Sequence, residues 1–109
     1  MEIGFSLIKN LTDKRELSKK YIKICLGKDV RDLFNDNPTD YLWFLVKAFY
    51  DSEQYNESFK KIEEIKKINP NDLNASLEGI FLLITLNKYK RAQREINRIL
   101  RFVTYEKDI

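Results

Sequence analysis

Residues 39–72 read TDYLWFLVKAFYDSEQYNESFKKIEEIKKINPND, and the pattern of this stretch decides the fold. Leu42, Leu45, Val46 and Phe49 lie on one side of its first half. Tyr55, Phe59, Ile62, Ile65 and Ile68 do the same in its second half, with Lys60, Lys61, Glu63, Glu64, Lys66 and Lys67 on the remaining faces. Apolar residues recurring at three- and four-residue steps mark amphipathic helices. The spacing therefore predicts one helix from Thr39 or Asp40 to about Asp51 and a second from about Gln54 to Ile68, broken by Asn69-Pro70-Asn71-Asp72. Much of the pattern returns 34 residues later: Tyr55 recurs as Tyr89, Ile62 as Ile96, Ile65 as Ile99, with Ser58 answered by Ala92 and Val46 by Ile80. A fixed period of this length is the mark of stacked helical units that cannot bury their apolar faces alone.

The repeat places a third helix over about 72–86, with Asp72 as its cap, and a fourth over about 88–103, with Asn87 in the turn between them. Short turns leave such helices only one arrangement, as antiparallel neighbours. These residues resemble the tetratricopeptide repeat (TPR), a helix–turn–helix unit of 34 residues. The first copy supplies Leu42-x2-Leu45-Val46-x2-Phe49, then Ser58-x3-Ile62, then Pro70. The family's usual Trp falls on Leu42, its Gly on Val46 and its small second-helix residue on Ser58. The second copy keeps Tyr89, Ala92, Ile96 and Ile99, but has Ser76 at the Trp position and lacks the closing Pro. The likeness spans residues 39–106, about two repeats. It implies an all-α fold, a right-handed stack of antiparallel helix pairs whose concave side is lined by the first helix of each pair. It also implies a protein-binding role, as an adaptor or chaperone holding a peptide or helix. Family members that grip a carboxylate tail use several basic and amide groups in that groove; here only Lys47 stands there, so the clamp is not carried over.

Residues 1–36 fit the repeat poorly and read as a degenerate repeat or a helical cap, with residues 37–109 as the two repeats of a single domain. Ile3, Leu7 and Leu11 are spaced by four, and Asp13 with Glu16 has the form of a capping box that predicts a helix start. Leu17, Tyr21, Ile24 and Cys25 are expected as its apolar stripe, with Gly27 ending it in a left-handed turn and Asp29 opening a short helix. Asn35-Asp36-Asn37-Pro38 is expected as a loop.

Composition narrows the function classes. With 109 residues, three Gly and two Pro, the chain is one helical domain. It contains no His, which removes the commonest general base and metal ligand. Its single Cys25 sits on an apolar stripe, and no Gly-rich phosphate loop occurs. No enzyme activity, cofactor or metal is expected. The early Glu2 and the absence of a long apolar run argue against a signal peptide or a membrane span, and a cytoplasmic location is expected.

Two constellations remain as candidate sites. Trp43, Lys47 and Tyr50 share a helix face distinct from the core stripe, and Leu77, Phe81 and Ile84 are their counterparts 34 residues on. Five of the six are apolar, so the two helices are apolar on two sides and something must cover the strip: residues 1–36, or a partner helix or peptide. The second is a basic stripe, Arg91, Arg94, Arg98 and Arg101, on the last helix. Arg forks onto carboxylates or phosphates, so the stripe is either a solvated outer face or a dock for an acidic protein surface. A net charge of +3 and pI near 8.9 fall short of the strongly basic balance of a nucleic-acid binder, which stands as a third reading, an RNA-binding helical repeat.

Overall fold

The structure, a computed structural model, describes the backbone of residues 2–35 and 37–107 and the side chains of 14–35 and 37–101. The side chains of the Ile3, Leu7 and Leu11 stripe and of Asp13, and Asp36, lie outside the described residues. All regular structure among them is helical: α1 (Glu2–Cys25), α2 (Lys28–Asp32), α3 (Pro38–Asp51), α4 (Tyr55–Ile68), α5 (Leu73–Thr85) and α6 (Tyr89–Lys107). None of these helices is long and apolar enough to cross a membrane.

The packing follows chain order. α3 lies on α4, α4 on α5 and α5 on α6, while α1 meets α3 and α2. The result is elongated, 66 × 35 × 18 Å with a radius of gyration of 18.0 Å, where a compact chain of this length would have about 13 Å. Its thickness is under two helix diameters of about 10 Å each.

The turns explain why the helices double back. In the first, Glu53 N–H donates to the Tyr50 carbonyl and Gln54 N–H to the Phe49 carbonyl; in the second, Asn87 donates to Ile84 and Lys88 to Leu83. Both are Schellman caps, with Glu53 and Asn87 in the left-handed region at φ 61° each. The same hydrogen bonds recur at the sequence period. The caps at the other ends also match: the Asn37 side chain accepts from Asp40 N–H, and the Asp72 side chain accepts from Ala75 N–H. Asp72 caps its helix as expected, whereas α3 is capped by Asn37 with Pro38 in its first turn, ahead of Thr39 and Asp40. Proline suits that place because its missing N–H is one no helix would use.

Two buried clusters hold the stack. Ile62 and Ile65 of α4 pack with Val46 of α3 and with Ala75 and Leu82 of α5; Ile22 and Cys25 of α1 pack with Leu45, Ala48 and Phe49 of α3. Ser58 is fully buried, and its hydroxyl donates to the Val46 carbonyl at 2.8 Å, so the small residue brings α4 close to the α3 backbone. Ala92 is equally enclosed. Gly79 serves α5 in the same way: a Cβ there would stand 3.3 Å from Ile62 Cγ2.

The N-terminal third departs from the expectations. α1 runs unbroken through Asp13, with no helix start there. Gly27 is extended (φ −75°, ψ 160°) and caps α2. Ile22 joins Cys25 in the core, while Leu17, Tyr21 and Ile24 are exposed. Tyr41 fixes the junction, its hydroxyl donating to the Cys25 carbonyl at 2.7 Å. Beyond this contact an open cleft of about 710 Å³ separates α1 from the α3–α4 turn, lined by Lys14, Arg15, Lys19, Asp51 and Gln54 among others. Tyr89 and Ile68, expected inside, are also exposed.

Candidate functional site

Helix α3 is buried on two sides, by α1 through Leu45, Ala48 and Phe49 and by α4 through Val46. Trp43, Lys47 and Tyr50 take what remains, and α5 repeats the arrangement with Leu77, Phe81 and Ile84. Leu77 is 49% exposed, Phe81 49%, Ile84 44% and Tyr50 38%. The Tyr50 and Phe81 rings lie 6.0 Å apart, tilted by 46°, and bridge α3 and α5. Tyr50 also meets the edge of Tyr55 at 5.4 Å, so α4 adds a third ring to the patch. Sequence reasoning assigned Tyr55 to the repeat core and missed this second role. Trp43 leans into the Val46–Ile62–Ile65 cluster and is half-buried. Lys47 stands exposed and pairs with Asp51 at 3.3 Å. The six residues thus divide: Tyr50 and Phe81 touch, Trp43 is partly core, and Lys47 is held by a neighbour on its own helix.

Nothing in the described part of α1 lies on this strip. Its inward residues meet Tyr41, Leu45, Ala48 and Phe49, and Leu77, Phe81 and Ile84 stay close to half exposed. Exposed apolar area of this kind, contiguous across two helices, is the usual mark of a contact surface.

The basic stripe on α6 is in part an internal device. The Arg91 guanidinium sits 4.9 Å over the Phe59 ring and reaches Glu63 at 3.2 Å. Arg98 donates to Glu95 at 3.1 Å and to the Ser76 hydroxyl at 3.2 Å, which ties α6 to α5. Lys66 of α4 approaches the same Glu95 carboxylate at 3.4 Å. Burial alone would raise the Glu95 carboxyl, but Arg98 and Lys66 outweigh it and hold the group below its ordinary value. Arg94 and Arg101 are exposed, and Arg94 forms no ion pair with a described residue. Sequence spacing placed the four Arg on one face; it did not show which would meet α4 and α5, because that depends on the approach of Glu63 and Ser76 from other helices.

No protein-family model matches this chain, and neither a curated protein nor a solved structure matches it.

Proposed function

We propose that this chain is a TPR-like helical-repeat module, stacked with right-handed twist, that acts by binding rather than catalysis. The strip of Tyr50, Leu77, Phe81 and Ile84 receives a peptide or amphipathic helix of another protein, with Trp43 as a half-buried floor and Lys47 at the edge. Such a module works as a small adaptor or chaperone. The repeat reading draws support from the two Schellman turns, alike in their backbone hydrogen bonds and spaced by the sequence period. The binding reading rests on one observation, the exposed Tyr50–Phe81 pair that joins the two repeats.

The test is the double substitution Leu77→Ala with Phe81→Ala, assayed separately for stability and for capture of ligands selected from a library of helical and extended peptides. Truncating a fully buried aromatic costs about 3–5 kcal/mol; at these half-exposed sites a loss of about 1–2 kcal/mol per residue is expected, with capture abolished. A full core-sized loss of stability with capture intact would refute the strip as a binding surface. The competing reading, a structural subunit that fills its own strip and docks an acidic partner through α6, draws on the exposed Arg94 and Arg101 alone, because Arg91 and Arg98 have partners within the chain.

A further inference from the structure

The described part of α1 carries a second unpartnered face. Leu17 is 63% exposed, Tyr21 45% and Ile24 64%, at i, i+4 and i+7 on one side of the helix. The inward residues of α1 share a spacing with those of two other helices: Ser18, Ile22 and Cys25 on α1, Ser58, Ile62 and Ile65 on α4, Ala92, Ile96 and Ile99 on α6. Ile22 and Cys25 pack on α3 as Ile62 and Ile65 pack on α5, so α1 occupies the place of the second helix of a pair.

What that place requires is shown at α6. The residues one position earlier there are Arg91, Glu95 and Arg98, and two of them reach side chains of α4, the second helix of the pair before: Arg91 reaches Glu63 at 3.2 Å, and Glu95 is met by Lys66 at 3.4 Å. On α1 the same positions are Leu17, Tyr21 and Ile24. They form the side on which a preceding helix would lie, and among the described residues none does.

The charge around the stripe says what chemistry would fill it. Residues 14–32, the described part of α1 with α2, hold seven Lys and Arg against three Asp and Glu, a net charge of +4 in a chain whose total is +3. Lys14 and Lys20 flank the stripe by helical position, and the one ion pair among the described side chains of α1 is Lys19–Glu16 at 3.7 Å. A second copy is a poor occupant, since α1 against α1 or against the basic α6 sets like charges together. We infer that Leu17, Tyr21 and Ile24 form a docking surface for an acidic amphipathic helix of another protein, laid along the exposed face of α1. The occupant presents an apolar seam to the stripe and Asp or Glu to Lys14 and Lys20. This site is separate from the Tyr50–Phe81 strip and does not depend on it.

The experiment uses the full chain and a synthetic helix-forming peptide of about 20 residues, about 30 Å long, with Leu along one seam and Glu on its flanks. Its twin carries Lys in place of Glu. The acidic peptide should bind and its basic twin should not. Leu17→Ser with Ile24→Ser should weaken binding by about tenfold or more, as removal of anchor residues does. Lys14→Glu with Lys20→Glu should do the same, and rising salt should weaken the wild-type complex. Phe81→Ala and Arg94→Glu should leave it unchanged, which separates this site from the strip and from α6. The exposed Leu17 and Ile24 do not hold the core, so their variants should keep the wild-type helical signal and unfolding midpoint. The proposal is overturned if the peptide fails to bind, or if Arg94→Glu abolishes binding and the Leu17 variant does not. It is equally overturned if phosphatidylserine vesicles bind the chain through Leu17 and Ile24 while the peptide does not, or if sedimentation shows a dimer that those substitutions dissolve.

Discussion

Gly79 and Leu45 occupy the same place in successive hairpins, and the difference between them sets how near α5 can come to α4. Ile62 is completely buried, and a Cβ at Gly79 would stand 3.3 Å from its Cγ2, so a larger side chain there must push Ile62 aside. Gly79→Leu should overpack the contact and lower stability by about 1–3 kcal/mol, read as a fall in the urea midpoint with an unchanged slope. Glu53 is the opposite case, a residue worse suited to its position than a substitute would be. It holds φ 61° at the end of α3, where a side chain with a Cβ costs about 1–2 kcal/mol and glycine does not. Glu53→Gly should raise stability by about 0.5–1 kcal/mol, because the relief of strain exceeds the added freedom of the unfolded chain. The same change at Asn87 should gain less, since Asn tolerates the left-handed region. The importance of Gly79 could not be read from the sequence alone, where it sits as one small residue in the apolar run 79–86; its role needed the position of Ile62. Glu53 was still harder to find, because nothing but the hydrogen bonds of the turn marks it.

At the scale of elements, α3 to α6 were legible and α1 was not. The later helices carry apolar residues that recur at the 34-residue spacing, with turn residues at both ends, so period and punctuation agree. α1 has apolar residues on two faces, Leu17, Tyr21 and Ile24 on one and Ile22 and Cys25 on another, and only contact with α3 decides which is buried. Asp13 and Glu16 matched a capping box, yet four-residue signals of this kind also occur inside helices, and here the helix continues. The candidate strip was legible because its residues recur at the repeat spacing. The internal share of the Arg stripe was not, since its partners are far away in sequence. That share predicts a pH effect. The Glu95 carboxyl is held below its unfolded value, so its contribution is fully present above that value and is lost as pH falls through the lower, folded one. Glu95→Gln should therefore lower the unfolding midpoint at pH 7, and the gap from wild type should close in the acid range. A gap unchanged from pH 7 to pH 3 would show that Arg98 and Lys66 do not stabilise the carboxylate in solution.

Across the whole molecule, α3 to α6 each rest on their neighbours in sequence and α1 rests chiefly on α3, and among the described residues no element closes the two ends on each other. Stability in such an arrangement approximates a sum over units and the interfaces between them. The middle interfaces, where Ile62 and Ile65 meet both α3 and α5, have support on two sides; α1 and α6 have it on one. Amide hydrogen exchange should therefore be slowest in α4 and in the facing halves of α3 and α5, and fastest in α1, which Ile22, Cys25 and the Tyr41 hydrogen bond join to α3. Uniform protection from α1 to α6 would mean that the chain opens as one cooperative block. If the gradient is found, the 66 Å length acquires a kinetic meaning: the protein would open from its ends like an unfastened clasp, and a helix docked at either end would slow that opening for the whole chain.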